Sequence, residues 1–419
     1  MEKKKMAFLT LGCKLNYAET STYERGLLNE GIEPVPWEDK ADIYLVNTCT
    51  VTEHSDKKCR NIIRKLHRVS PGAAIFVTGC YAQLKKDEIE KIEGVVKVFG
   101  ADEKVQVVPS IKEFIHGEKA LGCDLSGGFL PAYSSGERTR SFLKVQDGCD
   151  YFCAYCTVPY ARGRSRNIPI ADLVRQASEI AADGIKEIVL TGVNTGDFGK
   201  TTGETFLDLI KALDKVEGIE RYRISSIEPN LLTDEAIDWI ASGTKFLPHF
   251  HIPLQSGSDT ILKAMGRRYD TTFFARKLEY IRHAMEKEGD PKVFFGIDVI
   301  VGFPGETDEL FMETYNFLKD TARPAFIHIF PYSRRAGTPA AARKDQVQDS
   351  VKTRRVQILE NLCKELHSEF IEANRGIHEK VLFESTDKNG MMSGYTGNYI
   401  RIERPYDKDL VGKTADVTI

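Results

Sequence analysis

The chain has 419 residues, of which 42% are apolar and 28% charged, and its formal net charge is −3. This length predicts two or three domains of ordinary globular composition. The slight negative charge excludes a uniformly basic nucleic-acid-binding surface, so any contact with RNA must depend on local basic patches. We expect a cytoplasmic protein with no membrane segment, because no apolar run approaches the roughly 18 residues that span a bilayer. In that compartment thiols stay reduced, so the nine cysteines indicate metal or redox chemistry rather than disulfides.

The first domain is expected over residues 1–115, where strand and helix patterns alternate. The predicted strands are 6–10, 42–47 and 73–78, and the predicted helices are 18–29, 53–68 and 83–93. This alternation predicts an open parallel sheet covered by helices. Residues 116–138 contain several glycines and no periodicity, which indicates a linker.

Residues 139–374 alternate again and are expected to form the central domain. The predicted strands are 142–146, 187–191, 221–226, 250–253, 293–301 and 325–330, and a long helix is predicted at 346–374. Six β/α units predict a partial (β/α)6 barrel, whose functional site lies on the loops that follow the strands' carboxyl ends. Residues 375–419 have short strand patterns at 381–384, 399–403 and 415–419, which predict a small β-barrel domain. The overall expectation is an α/β protein of three domains.

The loop after the first central strand contains three cysteines with the spacing Cys-x3-Cys-x2-Cys, namely Cys149, Cys153 and Cys156. A structural zinc site requires four ligands, and no fourth Cys or His lies nearby in the sequence. Three thiolates are suited to an iron–sulfur cubane that keeps one iron open. We therefore expect a 4Fe–4S cluster at the catalytic edge of the barrel.

Cys13, Cys49 and Cys80 each follow a predicted strand of the first domain. Because the carboxyl ends of parallel strands share one edge of a sheet, these three cysteines can converge on one site. The alternative is that each is a small buried apolar residue, but the Gly, Thr or Asn beside each of them argues against it. Three further cysteines have no comparable context and are expected not to be ligands, namely Cys59, Cys123 and Cys363.

The motif at residues 149–156 resembles the radical S-adenosylmethionine (SAM) signature. The resemblance implies that the open iron binds SAM through its amino and carboxylate groups, and that an electron from the cluster cleaves SAM to a 5′-deoxyadenosyl radical. Tyr155 stands where the family packs an apolar residue against the adenine. The other implied SAM contacts follow later strands, and the alternative for each is a loop-capping role: Gly192, Asn194, Glu228, Gln255 and Asp298.

With both cysteine sets present, the whole chain resembles the radical SAM methylthiotransferases. The matching stretches are 158–166 (VPYARGRSR), 251–258 (HIPLQSGS), 296–307 (GIDVIVGFPGET) and 331–338 (PYSRRAGT). The resemblance implies an N-terminal cluster domain, a radical SAM barrel and a C-terminal TRAM-type RNA-binding domain. It also implies two 4Fe–4S clusters and two uses of SAM. One SAM donates a methyl group to sulfur at the N-terminal cluster, and the other supplies the radical that activates a carbon atom.

Two motifs indicate the subgroup. Members acting on isopentenyladenosine in tRNA usually read Tyr-Gly-Cys-Gln-Met-Asn and Asn-Thr-Cys-Ser-Val-Arg, and members acting on ribosomal protein S12 usually have Gly-Phe-Ile after Asn-Thr-Cys. This chain reads LGCKLN at 11–16 and NTCTVT at 47–52, which resembles the subgroup that modifies C2 of N6-threonylcarbamoyladenosine 37 in tRNA. The alternatives are an S12 methylthiotransferase and a non-catalytic iron–sulfur sensor that binds RNA.

The expected partners are tRNA, a reductant such as flavodoxin or ferredoxin, and a sulfur donor that the sequence does not identify. From residue 370 onward there are seven Lys/Arg and eight Asp/Glu, so phosphate contacts are expected outside the C-terminal domain. Residues 57–68 carry six Lys/Arg and no acid, and two further basic groups lie near matched motifs. The predicted tRNA contacts are Arg162, Arg166, Tyr332 and Arg335, and the alternative for each basic patch is a solvated face.

Overall fold

The computed structural model describes residues 3–28, 30–117, 128–136, 139–385 and 389–419. Within these ranges the chain forms an open parallel sheet, a partial barrel of parallel strands and a curled antiparallel sheet, which confirms the predicted α/β organisation. None of the described helices is long and apolar enough to cross a membrane.

The first domain is an open sheet with helices on both faces. Its strands are β1 (Lys4–Thr10), β2 (Ile32–Pro34), β3 (Ile43–Thr48), β4 (Ala74–Gly79) and β5 (Val95–Val98). Its helices are α1 (Lys14–Leu27), α2 (Glu53–Val69), α3 (Cys80–Leu84), α4 (Lys86–Glu90) and α5 (Val107–His116). All pairings are parallel, and the order is β2-β1-β3-β4-β5. Every residue of β3 and β4 is buried, because separate apolar cores cover the two faces of the sheet.

The structure adds two strands to the three that were predicted for this domain. Strand β2 has three residues and ends in Pro34, and β5 has four residues. Both are too short to give a recognisable strand pattern in the sequence. The single helix predicted at 83–93 is instead the pair α3 and α4. Lys85 separates them because its backbone leaves the helical region, with φ −138° and ψ 40°.

The central domain is a partial barrel. Its strands are β6 (Arg140–Lys144), β7 (Glu187–Thr191), β8 (Arg221–Ile224), β9 (His249–Gln255), β10 (Phe294–Val301) and β11 (Phe326–Pro331). Its helices are α6 (Val158–Arg162), α7 (Ile170–Ala182), α8 (Phe206–Asp214), α9 (Asp234–Ala241), α10 (Asp259–Met265), α11 (Thr271–Met285), α12 (Asp308–Asn316), α13 (Pro339–Ala342) and α14 (Asp349–Glu372). Parallel bridges, one between Ser226 and His251, join the sheets β6-β7-β8 and β9-β10-β11. The six strands therefore follow barrel order, with β6 and β11 as edges.

The residues of the barrel strands alternate between an apolar outer face and a polar inner face. Ile188, Tyr222, Phe250, Ile297 and Ile327 pack into the core beneath the helices. Since successive side chains of a strand point to opposite faces, the intervening residues point into the barrel. These inner residues include Arg140, Glu187, Arg221, Arg223, His249, His251, Asp298 and His328. A polar interior is the lining of a binding chamber rather than of a packed core.

The C-terminal domain covers the amino ends of the barrel strands. It consists of β12 (His378–Phe383), β13 (Met391–Tyr395), β14 (Arg401–Pro405) and β15 (Thr414–Thr418), in the antiparallel order β14-β13-β12-β15. This curled sheet is half of a small barrel. Arg223 donates hydrogen bonds to the carbonyl oxygens of Thr396 at 2.7 Å and Gly397 at 2.8 Å. The loop between β13 and β14 thus forms the floor of the chamber.

The first domain closes the open side of the partial barrel. At the β6 edge, the ring of Tyr17 on α1 meets the ring of Phe142 edge-on, with 5.9 Å between centroids. Beyond the β11 edge, Arg335 pairs with Asp56, which lies at the start of α2. The predicted linker 116–138 falls partly outside the described residues, as does Cys123. Its described part, 128–136, packs on α1, where Arg25 stacks on Tyr133 at 3.9 Å.

Candidate functional site

Cys13, Cys49 and Cys80 lie at one edge of the first sheet, because β1, β3 and β4 are neighbours and each cysteine follows a carboxyl end. Glycine permits this close approach. A Cβ added to Gly12, whose φ is +107°, would stand 2.8 Å from the Sγ of Cys49. A Cβ on Gly79, whose φ is +102°, would collide with the backbone of Thr48. Residues with a side chain are strained at such φ values.

Two buried polar side chains lock these loops together. The Nδ2 of Asn16 donates to the carbonyl oxygens of Leu11 and Thr48, at 2.9 Å each, and thereby ties the loops of Cys13 and Cys49. The Oγ1 of Thr48 donates to the carbonyl of Thr78 at 2.6 Å and accepts from the backbone N–H of Ala82 at 3.1 Å, which fixes the turn that carries Cys80. Buried polar groups satisfied in this way specify a single arrangement.

Cys149, Cys153 and Cys156 lie on the loop between β6 and α6. The backbone N–H of Cys149 donates to the carbonyl of Gly163 at 3.1 Å, and that of Cys156 donates to the carbonyl of Cys153 at 3.0 Å. Ala154, inside the loop, bonds to the backbones of Met265 and Ala340. The loop is therefore held at both its base and its tip against three separate parts of the barrel.

Arg267 connects this cysteine loop to Glu228. Its Nη1 lies 3.3 Å from the Sγ of Cys153 and 3.4 Å from the hydroxyl of Tyr155, and its Nη2 pairs with the Glu228 carboxylate. Burial raises the pKa of Glu228, and the charge of Arg267 opposes that rise. Tyr155 packs beside the apolar cluster of Met265, Phe303 and Tyr332.

Gly192 and Asn194 lie beside the same loop. The Oε1 of Gln146 accepts from the backbone N–H of Asn194 at 3.0 Å, and a Cβ on Gly192 would come within 3.0 Å of that oxygen. The Oδ1 of Asn194 accepts from the backbone N–H of Glu228 at 3.2 Å. Within the part of the chain that the structure describes, the Nδ2 of Asn194 is buried without a hydrogen-bond partner. A buried unpaired donor beside a glycine marks a place where a polar ligand would complete the hydrogen bonding.

Asp298 lies deeper in the barrel. Its Oδ1 is 2.7 Å from the Nε2 of His251, and the rings of His251 and His328 stack with 5.0 Å between centroids. The ligand atoms of these three residues lie within 4.8 Å of one another. Gln255 ends β9 with a φ of +71°, which is strained for a residue with a side chain. Asp298 acts on Glu228 electrostatically and raises its pKa.

A buried charge network connects the two cysteine sets. Glu19 of α1 accepts from Lys104 at 2.8 Å, from Lys144 at 2.9 Å and from Arg162 at 3.2 Å. Arg162 also pairs with Asp147 at 2.8 Å and reaches the Oδ1 of Asn16 at 2.5 Å. Burial raises the pKa of Cys80, and the charge of Arg162 opposes that rise. This network is a continuous polar contact between the first domain and the segments on either side of the cysteine loop at 149–156.

The structure places the four predicted tRNA contacts at or near the interface between the first domain and the barrel. Arg162 is 2% exposed and Arg335 is 8% exposed, so both belong to the interface between domains. Tyr332 is 4% exposed and packs on Phe303. Arg166 is partly buried, and its Nη1 donates to the carbonyl of Arg162 at 2.6 Å. Arg162 and Arg335 thus form ion pairs within the protein, and contact of these four residues with tRNA stays a prediction.

The thiol environments fit iron–sulfur clusters. Burial raises the pKa of Cys49 to about 12, of Cys149 to about 11 and of Cys156 to about 12. At neutral pH such thiols bind their protons unless a cation stabilises the thiolate, as cluster iron does. Cys59 instead donates to the carbonyl of Cys49 at 3.4 Å, and Cys363 packs against β11 near Ile327.

Sequence reasoning missed several residues of the site. The motif at 11–16 ends in Asn16, but nothing in the pattern indicates that its amide ties two loops. Glu19 lies three residues after Asn16, and from the sequence its carboxylate would be expected to face solvent. Only the tertiary fold places cations from distant segments around it. Arg267 follows a helix C-cap glycine, Gly266, and resembles an ordinary loop residue.

Comparison with known proteins agrees with this arrangement. Residues 5–100 match the family model described as Uncharacterized protein family UPF0004, and residues 143–318 match that of the Radical SAM superfamily. The solved structure of the radical S-adenosylmethionine methyltransferase TsrM from Kitasatospora setae, with cobalamin and a [4Fe-4S] cluster bound, superposes with a TM-score of 0.58 at 15% identity. That match covers 81% of this chain and 77% of TsrM, and it shows the fold. Fold and site together define a radical SAM enzyme with an additional N-terminal cysteine domain.

Similarity over the whole length identifies the family. The threonylcarbamoyladenosine tRNA methylthiotransferase MtaB of Bacillus subtilis is 41% identical over 99% of this chain and 93% of its own. The MtaB of Aquifex aeolicus is 37% identical over 99% and 100%. A tRNA-2-methylthio-N(6)-dimethylallyladenosine synthase of Carboxydothermus hydrogenoformans is 34% identical over 100% and 97%. This chain belongs to the radical SAM methylthiotransferase family, whose cofactors are two 4Fe–4S clusters and SAM.

Proposed function

We propose that this protein transfers a methylthio group to C2 of N6-threonylcarbamoyladenosine 37 in tRNA. One SAM molecule would donate the methyl group and a second would be the radical source. The observation that carries the proposal is the placement of two cysteine sets on either side of one polar chamber, joined by the Arg162 network. The likeness to the MtaB relatives over nearly the full length supports this choice of substrate.

The two cysteine sets would hold the two clusters. Cys13, Cys49 and Cys80 would hold the N-terminal cluster, and the set at 149–156 would hold the cluster that binds SAM. When bound, the clusters would supply the electron that cleaves SAM and the sulfur that is transferred, and the radical formed from SAM would abstract hydrogen. Three thiolates per cluster leave one iron free in each, which is the position that SAM or sulfur requires.

The protein's own residues would position SAM and exclude water. Asn194 would offer its unpaired buried Nδ2 to SAM, and Gly192 would let the ligand approach the backbone. Glu228 would accept from hydroxyl groups while Arg267 holds its carboxylate against the loop of Cys153 and Tyr155. Gln255 and Asp298 would line the chamber farther along the strands. Rigid placement of this kind is the protein's contribution to a reaction whose hard chemistry belongs to its cofactors.

The tRNA would approach across α2. Five of its basic residues are exposed, namely Lys57, Lys58, Arg64, Lys65 and Arg68. The helix begins shortly after Cys49, and Arg335 anchors its start to the barrel. A basic face at this place would hold the phosphates of the anticodon loop near the chamber. The curled C-terminal sheet would add contacts to unpaired bases, in the manner of small β-barrels.

The remaining partners follow from the chemistry. Reduction of the clusters would require an electron donor such as flavodoxin or ferredoxin, and a sulfur donor of unassigned identity would restore the transferred sulfur. Both, like tRNA, are found in the cytoplasm, where we propose that this protein works.

The proposed function is tested by mass spectrometry of tRNA nucleosides. Cells without this protein should accumulate N6-threonylcarbamoyladenosine and lack its 2-methylthio derivative, and the reconstituted protein should restore the derivative in vitro with SAM and a reductant. Unchanged nucleosides, or a loss confined to 2-methylthio-isopentenyladenosine, would contradict the assignment.

A further inference from the structure

The side chain of Lys14 stands out among the basic groups around the chamber because no described residue forms an ion pair or a hydrogen bond with it. It follows Cys13 and is the first residue of α1. Among the described residues its ammonium forms no ion pair and no hydrogen bond, and solvent reaches its side chain although Leu15 and Asn16 beside it are buried. The surrounding protein and the charges of Arg140 and Arg223 lower the pKa of Lys14. When a bound substrate displaces water from this site, the ammonium loses its hydration, which is unfavourable in free energy unless the substrate supplies an anion.

The other cations that line the chamber are already paired. Arg140 pairs with Glu384 at 2.5 Å, and Glu187 accepts from the Nε of Arg221 and the Nε of Arg223 at 2.8 Å each. Lys104, Lys144 and Arg162 share Glu19 and Asp147. Arg267 is paired with Glu228. Each of these cations therefore has a carboxylate partner, whereas Lys14 has no ion pair among the described residues.

Helix geometry directs Lys14 toward the barrel interior. Tyr17 is one turn further along α1, and residues three apart lie on one helix face. Tyr17 meets Phe142, which is an inner-face residue of β6, with 5.9 Å between ring centroids. Burial is the main cause of the lowered pKa of His249 on β9 and of His328 on β11, and the charge of Lys14 makes a smaller contribution to both, which agrees with this direction.

We infer that Lys14 binds the carboxylate of the threonylcarbamoyl group and so selects an anionic adenosine modification over an apolar one. This inference rests on the proposed function and specifies how its substrate is recognised. The threonyl group brings one carboxylate and one hydroxyl into a chamber that offers one unpaired ammonium and the polar pair His251 and His328. A prenyl group would leave the ammonium without a counter-charge, so the same residue also acts against that substrate.

The test compares anticodon stem-loops of one sequence that carry, at position 37, threonylcarbamoyladenosine, its carboxylate methyl ester, or adenosine. Binding of each stem-loop to the holoenzyme is measured by fluorescence anisotropy, and kcat and KM for product formation are measured in parallel. We expect the wild type to bind the acid at least about 10-fold more tightly than the ester, as for a charged hydrogen bond. Lys14→Met should abolish this difference, and Lys14→Arg should keep most of it.

Lys211→Met is the matched control, because Lys211 is an exposed, unpaired lysine on α8, and this variant should discriminate as the wild type does. Iron content is measured for every variant, so that a missing cluster is not mistaken for a loss of recognition. Equal binding of acid and ester by the wild type overturns the inference whatever the variants do, as does a Lys14→Met enzyme that still discriminates. A wild type that modifies acid and ester equally refutes the role of Lys14 but supports the proposed function. Absence of any 2-methylthio product from the acid refutes the function itself.

Discussion

The guanidinium of Arg335, beyond the last strand of the barrel, lies 2.8 Å from the carboxylate of Asp56 in the first domain, and both side chains are only 9% exposed. Thr50 completes the contact, since its hydroxyl donates to Asp56 at 2.7 Å. This pair fastens α2 to the barrel at the edge opposite the Tyr17–Phe142 contact. The charge of Arg335 therefore serves the assembly of the two domains.

Removal of Arg335 should destabilise the protein without changing the electrostatics of RNA binding. Arg335→Met leaves Asp56 as a buried, unpaired carboxylate, which typically costs about 3 kcal/mol. Arg354→Met is the control, because its pair with Asp308 is largely exposed and such surface pairs contribute below about 1 kcal/mol. Denaturant unfolding of the holoenzymes measures both. If the Arg335→Met protein unfolds like the wild type and its tRNA binding depends less steeply on salt, the result would support a direct contact between Arg335 and RNA.

Iron content should separate the two cysteine sets. The reconstituted wild type is expected to carry about eight irons per chain, and replacement of either triplet by alanine should leave about four. The variant without Cys13, Cys49 and Cys80 should lose methylthiolation but continue reductive SAM cleavage, since the loop at 149–156 and Arg267 remain. An iron content near four atoms per chain in the fully reconstituted wild type would contradict the expectation of two clusters.

Acid should weaken the junction between barrel and C-terminal domain through Glu187. The arginines Arg223, Arg221 and Arg140 lower the pKa of Glu187 from 4.5 to about 2 against the opposing effect of burial. A depressed pKa stabilises the fold above the unfolded value of 4.5, and this stabilisation is lost as pH falls toward 2. The full effect is about 3 kcal/mol, of which about 2 kcal/mol should disappear between pH 6 and pH 3.

Glu187→Gln removes this titration, so the gap between the wild-type and variant unfolding free energies should narrow by that amount as pH falls. Guanidinium unfolding of iron-free protein measures it without interference from acid loss of the clusters. If the unfolding free energies of the two proteins change in parallel over this pH range, Glu187 is not the source of the acid destabilisation.

Salt titrations should locate the electrostatic part of the RNA interface on α2. The double variant Lys57→Gln, Arg64→Gln should weaken tRNA binding and flatten the log–log slope by about 0.7 for each phosphate that is no longer neutralised. Tyr406→Ala, at an exposed aromatic of the C-terminal domain, should weaken binding with the slope unchanged, because base stacking depends little on salt. Lys211→Gln is the matched charge control. If Tyr406→Ala flattens the slope and the α2 variant does not, the phosphates contact the C-terminal domain instead.

Much of the architecture could be predicted because short stretches of sequence show the hydrophobic patterns of its strands and helices. The buried strands β3 and β4 have strand-length apolar runs, and the convergence of their following cysteines is a property of any parallel sheet. The roles of Arg162 and Arg335 could not be predicted, since clustered arginines look alike in sequence whether they face solvent or a buried carboxylate. Their partners Glu19 and Asp56 lie far away along the chain, and only the closure of the barrel by the first domain brings them together.

The position of the C-terminal sheet at the floor of the chamber bears on when the iron–sulfur clusters can be inserted during synthesis. All six candidate ligand cysteines have been translated by Cys156, long before Thr396 and Gly397 reach Arg223 and cover the amino end of the barrel. The C-terminal sheet covers the amino ends of the barrel strands, whereas these cysteines follow the carboxyl ends of their strands, so the sheet does not close the side from which the thiols are reached. Iron should therefore bind the chain as readily before residue 396 has been translated as after the protein is released from the ribosome.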